Sequence, residues 1–204
     1  MARAGRPRNF DRDEAITKAM HLFWEKGYEP TSLAELKAHL GNLSSASFYA
    51  AFGSKQQLFE ECLAKYMASC GELNQLLEDT AVSARSAMYA MLKQTIELQI
   101  DSHTPKGCMA VLAGLNCDDD NQAICKVAEQ ARQQTRQALV RCVQRGVDQQ
   151  ELSATTDVLS FAMVFDSFLK GLSIAIRDGA TLATLTQALD FIMTIWDCHA
   201  CRCD

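Results

Sequence analysis

Toward the end of this chain, apolar side chains return at the period of an α-helix. Phe161, Phe165, Phe168 and Leu172 follow one another at spacings of 4, 3 and 4, and Leu182, Leu185, Leu189, Ile192 and Trp196 at 3, 4, 3 and 4. That rhythm puts each set on one side of a helix and excludes a strand, whose period is two. The same reading holds upstream, and with only 3 prolines and 10 glycines in 204 residues the chain lacks the turn residues of an all-β fold. The expected fold class is all-α. The helix near 156–178 carries Val158, Ala162, Leu169 and Ile176 beside its phenylalanines, so it is apolar around more than half its circumference and must be covered. Two readings are open: a central core helix, or a homodimer seam built from the helices near 156–178 and 182–197 of each subunit.

The N-terminal third is written in shorter helices. Asp11, Asp13 and Glu14 suit a first turn, Ile16, Met20, Phe23 and Trp24 form one side, and Lys26-Gly27 closes it. Ser32-Leu-Ala-Glu35 has the pattern of a capping box, in which hydroxyl and carboxylate each satisfy a free amide of the helix start. Leu33, Leu36 and Leu40 give the second helix its stripe, and Gly41 ends it. A compact third helix runs through Ser47, Phe48, Tyr49 and Phe52 to Gly53. Three short helices with a glycine turn between the last two are the plan of a helix-turn-helix module. From Lys55 the helices lengthen: roughly 55–78, 84–102, 107–116, 121–149, 156–178 and 182–197. The expected organisation is a module over 1–54, with a basic arm, and a helical body over 55–204.

The net charge of −5 counts against nucleic acid when taken whole. Its distribution reverses the argument. Residues 1–66 hold nine Lys/Arg against eight Asp/Glu, residues 67–204 hold eleven against seventeen, and the first ten residues carry Arg3, Arg6 and Arg8 with no acid. A near-neutral head with a basic tip sits on an acidic body.

The string Phe23-Trp-Glu-Lys-Gly-Tyr-Glu-Pro-Thr-Ser-Leu-Ala-Glu-Leu36, followed by Phe48-Tyr-Ala-Ala-Phe-Gly-Ser-Lys-Gln-Gln-Leu-Phe59, resembles the DNA-binding domain of the TetR family of bacterial transcriptional repressors over residues 10–66. The resemblance implies a C-terminal effector-binding and dimerisation domain, and release from a palindromic double-stranded operator when a small molecule binds. It also implies that Tyr49 and Lys55 meet the phosphate backbone and that Thr31 sits at the opposite strand's backbone. On physical grounds Ser44, Ser45 and Ser47 can reach phosphates or base edges from a short helix in the major groove, or serve only as caps. From Gly41 to Tyr49 is eight steps, one more than is usual in the family, which leaves open which serine begins that helix. Arg6 and Arg8, in Gly5-Arg-Pro-Arg8, fit either an extended arm in a narrow minor groove or a basic tail of non-specific affinity.

For an effector pocket the candidates are the large or soft residues of the long helices: Met88, Met91 and Leu92, then Cys108, Met109 and Leu112, then Phe161, Phe165 and Phe168. Cys108 has an alternative role. It follows Pro105-Lys106-Gly107 at a helix start, where backbone donors and a lysine would lower a thiol pKa, and Gly107-Cys108-Met109 is similar to a segment of family members that respond to electrophiles or oxidants. Of the nine cysteines, Cys62, Cys70, Cys125 and Cys142 read as small buried hydrophobes. Cys198-His199-Ala-Cys201-Arg-Cys203 reads as a frayed terminus with reactive thiols rather than a metal site. The odd cysteine count and the absence of an apolar leader fit a soluble, cytoplasmic protein. None of the four histidines accompanies a nucleophile motif, and no phosphate-binding glycine loop is present, so no enzyme, cofactor or metal is expected.

Overall fold

A computed structural model describes residues 11–113 and 122–201, and among these it is all-α. The helices are α1 (Arg12–Lys26), α2 (Leu33–His39), α3 (Ser45–Phe52), α4 (Lys55–Glu78), α5 (Ala84–Ile100), α6 (Met109–Leu112), α7 (Gln122–Asp148), α8 (Val158–Arg177) and α9 (Leu182–His199).

Their starts follow the capping residues. Asp11 accepts the amides of Asp13 and Glu14, and Ser44, Ser54, Ser83 and Thr181 each accept the amide three residues on. At α2 only half of the expected capping box forms. Ser32 accepts the Glu35 amide, but the Glu35 carboxylate turns to Lys26 at the end of α1. The pairing holds the Glu35 carboxyl below its ordinary range, chiefly through the hydrogen bond from Lys26.

Two cores organise the chain. The first is aromatic: Phe59 stands edge-on to Phe23 and to Tyr28, with ring centroids 5.2 Å apart in each case, and Leu36, Phe48 and Phe52 close it from α2 and α3. This core continues along α4 to Met109 and Ala110 of α6 and to Ile124, Ala128 and Ala131 of α7. The head is therefore welded to the body through α4, α6 and α7. The second core joins the end of α4 to α5, α7, α8 and α9 around the fully buried Trp196, against which Phe161 and Phe165 pack.

The helix expected over 107–116 is a single turn. Gly107 has φ +83° and an ideal Cβ there would lie 2.6 Å from both the Ser173 carbonyl oxygen and Leu112 Cδ1, so the chain crosses α8 closely before α6 begins. The C-terminal segment is also tied down rather than frayed: Ala200 bridges Leu152, and the Cys201 amide donates to the Glu151 carbonyl. Cys203 lies outside the described residues. Cys125, read as an inert thiol, is disulfide-bonded.

On α8 and α9 the apolar stripe is wider than the monomer can bury. Leu159, Met163, Ile174, Leu182 and Phe191 are exposed large hydrophobes, and the expected stripe residue Leu182 is among them. By length and composition α8 would pass for a membrane span, but it packs against α5, α6, α7 and α9.

Candidate nucleic-acid interface and interior cavity

The third helix buries one side and offers the other. Phe48 and Phe52 are inside, whereas Ser44, Ser45, Ala46, Ser47, Tyr49 and Ala50 are exposed. The longer turn before it is made by consecutive left-handed residues, Gly41 at φ +91° and Asn42 at φ +61°, after which the Leu43 amide donates to the Lys37 carbonyl. Ser44 is the cap and Ser45 the first helical residue. The Ser44 hydroxyl accepts the Ser47 amide at 3.1 Å and lies 2.9 Å from the Ser47 hydroxyl, so two of the three serines hold one another in place. Ser45 accepts a 2.9 Å hydrogen bond from Lys37 Nζ. Lys37, in the last turn of α2, is a cation beside this face that no sequence motif singles out.

Tyr49 is half-exposed with its ring edge-on to Phe48. Lys55 opens α4 with its ammonium 4.1 Å from the centre of the Tyr28 ring, and partial burial pulls its pKa down from the ordinary lysine value. Thr31 departs from expectation. It is fully buried, and its hydroxyl donates to the Gly27 carbonyl at 2.7 Å, so it closes the α1–α2 turn and presents nothing to a phosphate. Arg6 and Arg8 lie outside the described residues.

Behind this head is a cavity of about 250 Å³, walled by α1, α4, α5, the α6 segment, α7 and α8. Of the residues expected there, Met91 and Cys108 line it. Met88, Leu92, Phe161 and Phe165 are instead packing residues of the second core, with Phe168 partly buried against it. Met109 is sealed in the first core, and Leu112 lies against the Gly107 crossing. The common error is physical: large apolar residues on broad stripes are consumed by helix packing, so the cavity is left to the stripe margins, where polar residues begin.

Those margins supply Tyr66, Thr95, Gln99, Arg132, Asp166, Lys170 and Ser173. Asp166 is 2% exposed and is held by Arg136 Nε at 2.9 Å and Lys170 Nζ at 2.5 Å. Its sequence signal was legible as an acid interrupting an otherwise apolar helix, with Lys170 one turn on. Ser173 donates to Gln99 at 2.9 Å. Cys108 faces this cavity half-buried, and burial pushes its thiol pKa up, outweighing the hydrogen bond from Tyr66 and the backbone donors of Ala110 and Val111. The lowered thiol pKa expected from the helix start is therefore reversed. Cys70, across Tyr66, is pushed up to about 11 by the same cause.

Two family profiles match the chain. One, described as bacterial regulatory proteins of the tetR family, covers residues 15–62, and one described as a tetracyclin repressor-like C-terminal domain covers 84–191. The chain belongs to the TetR family. It is 30% identical over 195 residues to the HTH-type transcriptional repressor ComR of Escherichia coli K12, spanning 94% of this chain and 91% of that one. BdcR, an HTH-type transcriptional repressor of the same organism, is 31% identical over 196 residues, spanning 94% and 93%. Among solved structures, a cysteine-substituted variant of the TetR-family regulator CifR in complex with a 26-base-pair operator DNA superposes with a TM-score of 0.86 at 33% identity, covering 94% of this chain and 100% of that one. A TetR regulator from Chloroflexus aurantiacus shares the fold, with a TM-score of 0.80 at 20% identity over 93% and 95%. As a TetR-family protein the chain is a helix-turn-helix transcriptional regulator, a class that acts as dimers on double-stranded DNA and answers to small molecules. Its relatives are regulators and not enzymes.

Proposed function

We propose that this chain is a cytoplasmic homodimeric repressor that leaves a palindromic operator when a small apolar molecule enters the cavity. In this reading α3 enters the major groove, with Ser44, Ser45 and Ser47 at phosphates or base edges and with Tyr49, Lys55 and Lys37 on the backbone. Arg6 and Arg8 add charge from the N-terminal arm. Residues 1–54 are the reading head and 55–204 the effector-binding and dimerisation body. The exposed apolar face of α8 and α9 is covered by the partner.

The observation that carries the reading is that the cavity touches the head itself. Met20 and Trp24 of α1 line it together with residues of α4 to α8. Two further links cross at the same place. Arg177, the last residue of α8, donates to the carbonyls of Trp24 and Glu25 at the end of α1, and the Tyr28 amide donates to the Ala113 carbonyl just after α6 at 3.4 Å. An occupant that moves α6 or α8 relative to α1 therefore changes the tilt of the head, and in a dimer the spacing of the two α3 helices. That is differential binding to two arrangements. The test is to enrich binding sites from a random duplex pool, then screen small apolar molecules for release of the enriched duplex. Release with retained dimerisation is expected, and an enriched duplex that no cavity occupant displaces contradicts the reading.

A further inference from the structure

Polarity in the cavity is divided between its walls. On one side Met20, Met67, Leu73, Met91 and Leu98 of α1, α4 and α5 offer hydrocarbon and thioether surface. On the other, α7 brings Arg132 and Thr135, and α8 brings Asp166, Lys170 and Ser173. A lining divided in this way suits an occupant with an apolar body and one polar end. A cavity of about 150 Å³ takes benzene, so one of about 250 Å³ has room for a ring and a short chain.

Charge, rather than a tally of hydrogen bonds, sets the sign of that end. Thr135 and Asn74 each carry a donor and an acceptor, so they suit either polarity. Asp166 presents one oxygen to both Arg136 Nε at 2.9 Å and Lys170 Nζ at 2.5 Å, so this single carboxylate already faces two cations. Arg132 is a third. Its Nη1 donates to the Ala110 carbonyl at 2.7 Å, and it pairs with no carboxylate among the described residues. That bond fixes where the guanidinium lies, because Ala110 itself lines the cavity, and Arg132 also acts electrostatically on the Cys108 thiol of the same wall. The other acid of the lining, Asp101, stands at the end of α5, where it accepts the His103 amide. Arg132, Arg136 and Lys170 against Asp101 and Asp166 leave one positive charge in excess. In a site walled off from water, that excess favours a single negative charge on the occupant.

We propose that the effector is a mostly hydrocarbon molecule with one carboxylate, its body laid against α1, α4 and α5 and its carboxylate held by Arg132 and Lys170. The inference rests on the cavity being the effector site and adds the charge of the occupant and the residues that read it. Arg132 also ties recognition to the head. The guanidinium that meets the carboxylate holds the Ala110 carbonyl of α6, and the Ala113 carbonyl just after α6 takes the Tyr28 amide just beyond α1.

Three probes that share one skeleton and differ in charge test it: 3-phenylpropanoate, 3-phenylpropanamide and 3-phenylpropylammonium. Calorimetry on the full chain without DNA at pH 7 should rank the carboxylate tightest, the amide about tenfold or more weaker, and the ammonium weakest. Arg132→Gln should weaken the carboxylate about ten- to a hundredfold, the worth of a charge-assisted hydrogen bond, and shift the amide by no more than about twofold. Retained amide binding also shows that the variant is folded. Arg132→Lys, which keeps the charge, should recover part of the loss. No carboxylate binding, an amide or ammonium bound as tightly as the carboxylate, or equal losses for carboxylate and amide in Arg132→Gln overturns the proposal. The two readings fail separately. A chain that binds the carboxylate through Arg132 but is never released from its duplex would refute the repressor reading and leave this one intact, whereas release by uncharged molecules alone would do the reverse.

Discussion

Replacing Gly107 by alanine perturbs the crossing that sets α6 between the cavity and the head. Two costs add. At φ +83° an L-residue sits in the left-handed region, at about 1–2 kcal/mol. The new methyl would also meet the Ser173 carbonyl oxygen at 2.6 Å, and that atom is backbone within α8, so relief requires moving the segment; overpacking of this kind costs about 1–3 kcal/mol. The expected loss is about 2–5 kcal/mol, a large part of the 5–15 kcal/mol typical of a folded domain. At about 2–4 °C per kcal/mol for a chain this size, the melting temperature should fall by about 4–20 °C. Urea unfolding followed by far-ultraviolet dichroism reads it, and Gly71→Ala provides the contrast. Gly71 lies within α4 with nothing within 4 Å of its would-be Cβ, so alanine there should raise stability by about 0.5–1 kcal/mol. A Gly107→Ala midpoint equivalent to less than about 0.5 kcal/mol of loss would refute the close crossing.

Other outcomes follow from named contacts. Ser44→Ala removes the cap of an eight-residue helix and should cost about 1 kcal/mol in the melt together with DNA affinity; unchanged DNA affinity would separate the cap from the reading face. At pH 8 an alkylating reagent should reach the exposed Cys198 and Cys201 within minutes and spare Cys70 and Cys108, whose thiols burial keeps protonated. Rapid alkylation of Cys108 at neutral pH would restore a thiol-sensing mechanism. Asp197 accepts Arg85 Nε at 2.5 Å and Nη2 at 2.9 Å, and this pairing holds its carboxyl below the ordinary range. A depressed carboxyl contributes stability above its unfolded pKa, lost as pH falls through the folded one. Asp197→Asn should remove at most about 1 kcal/mol at pH 7, since both partners are half-exposed, and should flatten acid destabilisation below about pH 4. An acid limb as steep as the parent's would deny the pairing.

Much of the head was legible because its signals are local. An acidic first turn from Asp11, the Ser32 cap, glycine stops and an aromatic pattern place α1 to α4 within a residue or two. Burial of Thr31 was not legible, since a threonine after a proline reads alike whether its hydroxyl meets a phosphate or the Gly27 carbonyl four residues back. The cavity was hardest. Periodicity identifies the residues that pack, such as Phe161 and Leu92, whereas a cavity is what packing leaves over, and its polar wall draws single residues from helices far apart in sequence. The Cys108 thiol misleads for a related reason: position at a helix start is local, but burial against Tyr66 is not.

The most direct test of the reading head is the salt dependence of affinity for a palindromic duplex enriched by the chain, measured for the parent and for Lys55→Met. The logarithm of affinity should fall linearly and steeply with the logarithm of salt concentration, and Lys55→Met should lower the slope by about one while leaving sequence preference unchanged. Failure to enrich any duplex, or an affinity that does not change with salt, would contradict a DNA-binding role for α3 and its flanking cations.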